Sequence, residues 1–310
     1  MDASIMHSSL LYLITVMIWG STFYAIKFQL GLVDPLVSVG YRFILAGILL
    51  LGFCCLTGIN LRFSLRAHLF MLLQGLSLFG INYWLMYQST AHLTSGLIAL
   101  AFSTIVMMNI VNSALFLGAP IRKEVVLGGM LGLLGIGLVF QPDEGSFAFS
   151  GQTFQALLIV LLGTYCASLG NITSARNQRD GLPVLQCNAF GMSYGGIAML
   201  LLAASSDKQL TFDPSVPYIS SLLYLSVFGS IIAFGCYLTL VGRIGADKAA
   251  YTTLLFPLVA LQISTLMEGY HWSSSGLVGI GLVLLGNLII LISPQQLRHL
   301  RQRWRARIRA

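Results

Sequence analysis

Charge is scarce in this chain of 310 residues: Asp, Glu, Lys and Arg together make up 9% of it. A soluble domain carries roughly 25%. A water-facing surface cannot be built from so few charges, so an ordinary soluble globule is excluded. Acidic residues are the rarer kind, 10 against 17 basic ones. None falls in the middle of an apolar run, which leaves a carboxylate proton relay without support.

Catalytic groupings are missing too. There is no Gly-rich phosphate loop, no Ser/His/Asp grouping and no close pair of carboxylates within a span. His7, His68, His92, His271 and His299 lie near expected helix ends or in loops, the ordinary place for a solvated or interfacial histidine. Cys54, Cys55, Cys166, Cys187 and Cys236 fall inside apolar runs without metal-ligand spacing and read as small packed side chains. No metal and no cofactor is expected.

What is abundant is apolar length. The chain is 56% hydrophobic with a mean hydropathy of +0.84. Many runs approach the ~20 residues needed to cross a hydrocarbon core. In lipid the backbone must satisfy its own hydrogen bonds, so spans are helices or a closed barrel. Barrel strands alternate apolar and polar residues. Leu97–Val111 and Ile280–Ile292 do not, so the class is an all-α polytopic membrane protein.

Ten helices are predicted, near Leu10–Leu30, Leu36–Leu56, Leu69–Gln88, Leu97–Phe116, Val125–Phe140, Phe154–Asn171, Val184–Ala204, Tyr218–Leu240, Ala249–Met267 and Ser275–Ile292. Asp34-Pro35, Thr57-Gly58, Gln141-Pro142 and Leu182-Pro183 punctuate them. The N-terminus has no Lys or Arg ahead of its first apolar run, so that run reads as a retained helix rather than a cleaved signal.

Loop charges orient the spans. With a cytoplasmic N-terminus, the inner loops hold Arg62, Arg66, Arg122, Lys123, Arg176, Arg179, Arg243 and Lys248. The outer side holds Lys208, with Lys27 near the outer end of the first helix, and the acidic pair Asp143 and Glu144. This is the positive-inside pattern. Arg298, Arg301, Arg303, Arg305, Arg307 and Arg309 crowd the end of the chain. They read as a cytoplasmic tail near anionic lipid headgroups rather than a nucleic-acid arm.

The sequence repeats weakly. Gly118, Gly128 and Gly135 recur as Gly269, Gly279 and Gly286 at one offset, and Leu127–Phe140 resembles Val278–Leu291. Asp34-Pro35 after the first helix matches Leu182-Pro183 after the sixth. Five helices per half is an odd number, so the second copy starts on the opposite side. Inverted repeats are a transporter architecture with the substrate near the midplane. The expected parts are a first repeat at 8–141, a second, inverted one at 152–293 and the basic tail at 294–310. The partners expected are the bilayer and a small-molecule substrate, with the oligomeric state open.

Trp19-Gly20-Ser21-Thr22-Phe23, Lys27, Pro35, then Arg42-Phe43 with Ala46 resemble the opening of the EamA family, within the drug/metabolite transporter superfamily. Gly245-Ala246, Phe256-Pro257 and Glu268-Gly269 fit its second half. The resemblance implies ten helices, cytoplasmic termini, a bacterial inner-membrane location and export of amino acids or similar metabolites by alternating access. Ser103-Thr104 stands near where the second half has Phe256-Pro257, and Gly118-Ala119-Pro120 lacks the acidic residue usual after the fourth helix. The alternative function is a membrane-embedded enzyme acting on a lipid, which calls for His, Asp or Glu clustered at one face.

Polar groups inside spans are the site candidates. Arg42, two turns inside its helix, is set to bind a carboxylate or phosphate or to cap carbonyls at the Pro35 break. Trp19, Ser21, Tyr24, Asn82, Tyr83, Tyr87, Ser103, Tyr165, Asn171, Tyr237, Tyr251 and Gln262 supply amides, hydroxyls and rings. Such groups need partners in lipid and turn to the bundle interior. Together they suit a polar organic solute; taken singly, each also reads as an interhelical hydrogen bond or an interfacial aromatic. Lys27 and Glu268 are the gate candidates, against the plainer readings of a snorkelling lysine and a solvated helix end.

Overall fold

The computed structural model describes residues 3–118, 120–121, 123–140, 151–244 and 252–291. The central segment 141–150, the segment with Lys248 and Tyr251, Arg122, and the basic tail lie outside the described residues.

Every regular element among the described residues is helical. Helix α1 covers 3–29, an α-helix that tightens into a 3₁₀ turn at Ile26–Gln29. Next come α2 (Pro35–Leu56), α3 (Leu65–Ser89), α4 (Ser95–Leu117) and α5 (Lys123–Val139). Then follow α6 (Gly151–Arg179), α7 (Val184–Ser205) and α8 (216–244). The last two are α9 (Thr252–Met267) and α10 (Ser274–Leu291). Eight of these are long and apolar enough to cross a bilayer; α9 is shorter, at 16 residues, and α5 has 17. Helix α6 runs well past its predicted end at Asn171, through a polar last turn to Arg179.

Local chemistry sets the helix ends. The Asp34 side chain accepts from the Leu36 N–H at 2.9 Å, with Pro35 opening α2. Ser64 and Ser215 cap α3 and α8 likewise. Residues with positive φ close six helices, and they fall in pairs. Gly31 and Gly181 follow α1 and α6, Gly58 and Asp207 follow α2 and α7, and Gly118 and Gly269 follow α4 and α9.

Irregular turns also come in pairs. A wide π turn occupies Gly75–Ile81 in α3, and another occupies Tyr224–Ile232 in α8. Helix α4 breaks at Ser103–Thr104, where both hydroxyls turn back to backbone carbonyls at 2.7 Å. Helix α9 carries Pro257 inside it.

Packing follows the small residues. Helices α5 and α10 lie in close contact, as do α2 and α7. A Cβ on Gly135 would sit 2.5 Å from the Gly279 carbonyl oxygen, and one on Gly279 would sit 2.5 Å from that of Gly135. Gly128 and Gly286 oppose each other in the same reciprocal way. Only glycine permits so near an approach. Buried amides tie other helices: Gln74 donates to Asn188 at 3.0 Å and accepts from Asn177 at 3.1 Å. Leu202, Leu134 and Leu285 instead stay exposed on the outer faces, as a lipid-facing surface requires.

Candidate functional site

A cavity of about 700 Å³ lies among α1, α3, α4, α6, α8 and α9. Aromatic rings and uncharged polar groups share its wall. Trp19, Thr22 and Phe23 come from α1, Asn82 and Tyr83 from α3, Asn109 and Ser113 from α4. Asn171, Gln178 and Arg179 come from α6, Phe234 and Tyr237 from α8, and Phe256 from α9. Trp19 is packed against the rings of Phe234 at 5.3 Å and Tyr237 at 5.2 Å.

The two ends of the cavity differ. Gln178 and Arg179, in the last turn of α6, both line it and are exposed, so it reaches the surface there. That end is level with the first half of α3, since neighbouring Asn177 bonds to Gln74. At the far end of α3, Ser89 donates to the Ala156 carbonyl. Here Phe23, Phe102 and Phe256 meet pairwise, with centroids 5.8–6.4 Å apart. Beyond them Lys27 forms an ion pair with Glu268. The Glu268 carboxylate also accepts from the Ser95 N–H at 2.9 Å and the Ser95 hydroxyl at 2.5 Å. One carboxylate therefore joins the end of α1, the start of α4 and the end of α9.

Glu268 follows the last residue of α9, yet its side chain is only 3% exposed. The plainer expectation of a solvated helix end gives way because Lys27 and Ser95 replace water around it. Burial alone would raise its pKa, but hydrogen bonds from Lys27 and Ser95, with the lysine charge, hold it below the ordinary value. Lys27 does not snorkel freely; it is committed to this pair.

Of the sequence candidates, Trp19, Asn82, Tyr83, Asn171 and Tyr237 line the cavity. The Ser21 hydroxyl is 2.6 Å from that of Tyr224, and Tyr24 packs edge-on to Phe28. Ser103 accepts from Asn287 at 3.0 Å in the α4 break. Tyr87 is wholly buried behind the wall. Tyr165 is 40% exposed and Gln262 is exposed. Both face outward, since one helix turn decides which side a residue takes.

Arg42 is also wholly buried and is not part of the wall. Its guanidinium carbon lies 4.4 Å from the centroid of the Tyr83 ring, which is in the wall, and 4.9 Å from that of Phe43. Its Nε donates to the Ser230 hydroxyl at 3.3 Å. It does not cap the Pro35 break. Gln178, Arg179 and the three phenylalanines were not site candidates. The first pair lay past the predicted end of α6 and read as loop residues; the rings have no polar signal.

Residues 7–141 and, separately, 154–292 match the EamA-like transporter family. The chain belongs to this family. An inner membrane transporter of Escherichia coli (strain K12), YedA, is 30% identical over 277 residues, covering 89% of this chain and 87% of YedA. Protein PagO of Salmonella typhimurium is 23% identical over 92% of this chain and 93% of its own length. A Chlamydia muridarum protein named as an S-adenosylmethionine/S-adenosylhomocysteine transporter is 23% identical over 90% of each chain. One solved crystal structure superposes with a TM-score of 0.66 at 16% identity, covering 91% of this chain and 95% of that one. That likeness concerns the fold alone. The chain is therefore a multi-pass inner-membrane transporter.

Proposed function

We propose that this EamA transporter exports a small polar organic solute, an amino acid or related metabolite, by alternating access through the cavity. The observation that carries the reading is the cavity itself. It draws its wall from both family-matching segments, mixes rings with amides and hydroxyls, reaches the surface at Gln178 and Arg179, and has the Phe23, Phe102 and Phe256 rings packed together in its wall. Its volume of about 700 Å³ falls within the range of small-molecule sites, ~300–1,000 Å³.

The architecture proposed is ten crossings, α5 and α9 included, in two inverted five-helix repeats at 8–141 and 152–293. The paired helix endings, the paired π turns and the reciprocal glycine contacts of α5 with α10 support it. The loop charges support cytoplasmic termini. With that orientation the mouth at Arg179 faces the cytoplasm, and the Lys27–Glu268 pair with its phenylalanines forms the outer gate. A cytoplasm-facing resting state suits an exporter, which loads from inside. The Chlamydia relative's name supports an organic cargo with a charged amino-acid portion.

The test is transport in liposomes holding the purified protein. Labelled amino acids and S-adenosylmethionine are to be supplied singly, with an unlabelled counter-gradient of the same solute. Accumulation that falls in Trp19→Ala supports the reading. Inert liposomes across the amino acids, nucleosides and small polyols would overturn it.

A further inference from the structure

The wall of the cavity conceals a cation. Arg42 is fully buried, and no carboxylate pairs with it among the described residues. Its Nη1 has no hydrogen-bond partner there. The Tyr87 hydroxyl, also fully buried, makes no well-formed hydrogen bond either; it stands beside the same guanidinium, close enough to pair loosely with it, and its own O–H has no acceptor. A buried charge without an anion is costly in lipid and is a functional feature by default. Two rings spread the charge but accept no hydrogen bond.

We propose that Arg42 and Tyr87 form an anion subsite behind Tyr83, which takes the single negative charge of the transported solute, a carboxylate. This rests on the transport reading and adds to it the charge of the cargo. The Tyr83 ring is the shared surface: its edge is in the cavity wall and its face lies against Arg42. A turn of that side chain joins the subsite to the cavity.

Several features fit a ligand here rather than a merely packed arginine. Arg42 is held at its root by Nε on Ser230, leaving Nη1 free. Opposite it is Gly229, where a Cβ would already lie 3.4 Å from Nη2. Arg42 touches the wide turn of α8, where Ser230 and Gly229 lie, and packs on Tyr83, two residues past that of α3. Such turns are frequent at functional sites. One guanidinium and one phenol hydroxyl match a monoanion better than a phosphate. In Asn82, which does line the cavity, Oδ1 is likewise unpartnered and can accept from a donor on the same solute.

The experiment is a thermal-shift titration of the purified full-length protein with acetate, benzoate, benzamide and chloride at constant ionic strength. It compares wild type with Arg42→Gln, Arg42→Lys and Tyr87→Phe. Benzoate is expected to stabilise the wild type and benzamide not. The half-saturating concentration should rise about tenfold or more in Arg42→Gln, as loss of a charge-assisted hydrogen bond implies. Arg42→Lys should recover part of that. Tyr87→Phe loses one hydroxyl only and stays informative if Arg42→Gln does not fold; it should weaken benzoate about threefold or more.

An Arg42-dependent response to carboxylates but not chloride assigns the subsite to the solute's own carboxylate. An equal response to chloride would overturn the assignment to the solute's carboxylate and make this the site of a co-bound inorganic ion. Equal responses of wild type, Arg42→Gln and Tyr87→Phe, no response to any anion, or benzamide acting like benzoate would overturn the subsite. Undiminished transport of a solute by Arg42→Gln would overturn it too while leaving the transport reading intact; wild-type inertness in liposomes would count against the latter.

Discussion

The Lys27 ammonium and the Glu268 carboxylate meet where the 3₁₀ turn of α1 passes the end of α9. Through Ser95 the same carboxylate holds the first turn of α4. In Glu268→Gln the charge is lost while the shape remains. Hydrogen bonds to a charged group contribute about 1.5–3 kcal/mol, so the closed end should open more often by about tenfold or more. A cysteine placed at Thr22 reports this through its rate of modification by a membrane-impermeant thiol reagent added only on the side of the Lys27–Glu268 pair, in protein reconstituted in one orientation. An unchanged rate would mean that the phenylalanines alone make the seal.

The same end should respond to acid in one direction only. The Glu268 pKa lies below its ordinary 4.5 despite burial. A carboxylate depressed in the folded state stabilises above its unfolded pKa, and that stabilisation is lost as pH falls through the folded value. The thiolate is the reactive form, so the raw rate falls with pH in every variant. The rate at Thr22→Cys relative to that at Thr22→Cys in Glu268→Gln should therefore stay constant from neutrality down to the ordinary carboxylate range, and approach one only below it.

Helices α5 and α10 should not tolerate bulk at their contact. Gly135→Val forces a side chain against the Gly279 backbone. Overpacking of this kind costs about 1–3 kcal/mol. The melting temperature in detergent should fall. Gly137→Ala and Gly281→Ala meet nothing within 4 Å; they should be neutral or mildly stabilising, since Gly in a helix costs about 0.5–1 kcal/mol relative to Ala.

Gln74→Leu should destabilise without touching the cavity wall. It strands the Asn177 and Asn188 amides, both of which bond to Gln74. A buried polar group left unpartnered costs about 1–3 kcal/mol. Replacing all three by apolar residues together should recover much of the loss, and melting temperatures would show it.

Transport should separate the wall from the outside. Trp19→Ala removes a ring packed on Phe234 and Tyr237. The same ring is part of the cavity wall. A solute stacked on it would lose about 0.5–1.5 kcal/mol, so the half-saturating solute concentration should rise about two- to tenfold. Tyr165→Phe and Gln262→Leu, both at outward positions, should transport as wild type does.

The helical class and most helix boundaries were legible because lipid leaves a chain few options and apolar length records them. The expectation that polar groups turn inward served Trp19, Asn82, Tyr83, Asn171 and Tyr237. It failed for Tyr165 and Gln262, because composition does not say which face of a helix a residue takes. Lys27 and Glu268 were both named as gate candidates, but their contact with each other and with Ser95 was not legible, because two charges near separate helix ends carry no sign of each other. Arg42 stood out by depth in its helix, yet its position behind Tyr83 depends on the wide turn in α3, which leaves no mark in hydropathy.

Those wide turns have a mechanical meaning. A π turn holds one more residue than the α-helix around it would need. Each residue of an α-helix advances the chain by about 100° around its axis. The widened stretch at Gly75–Ile81 is thus a reserve of rotation stored just ahead of Tyr83. Drawing that loop of slack into the helix would swing the Tyr83 ring off Arg42 by about a quarter turn and lengthen the helix by only about 1.5 Å.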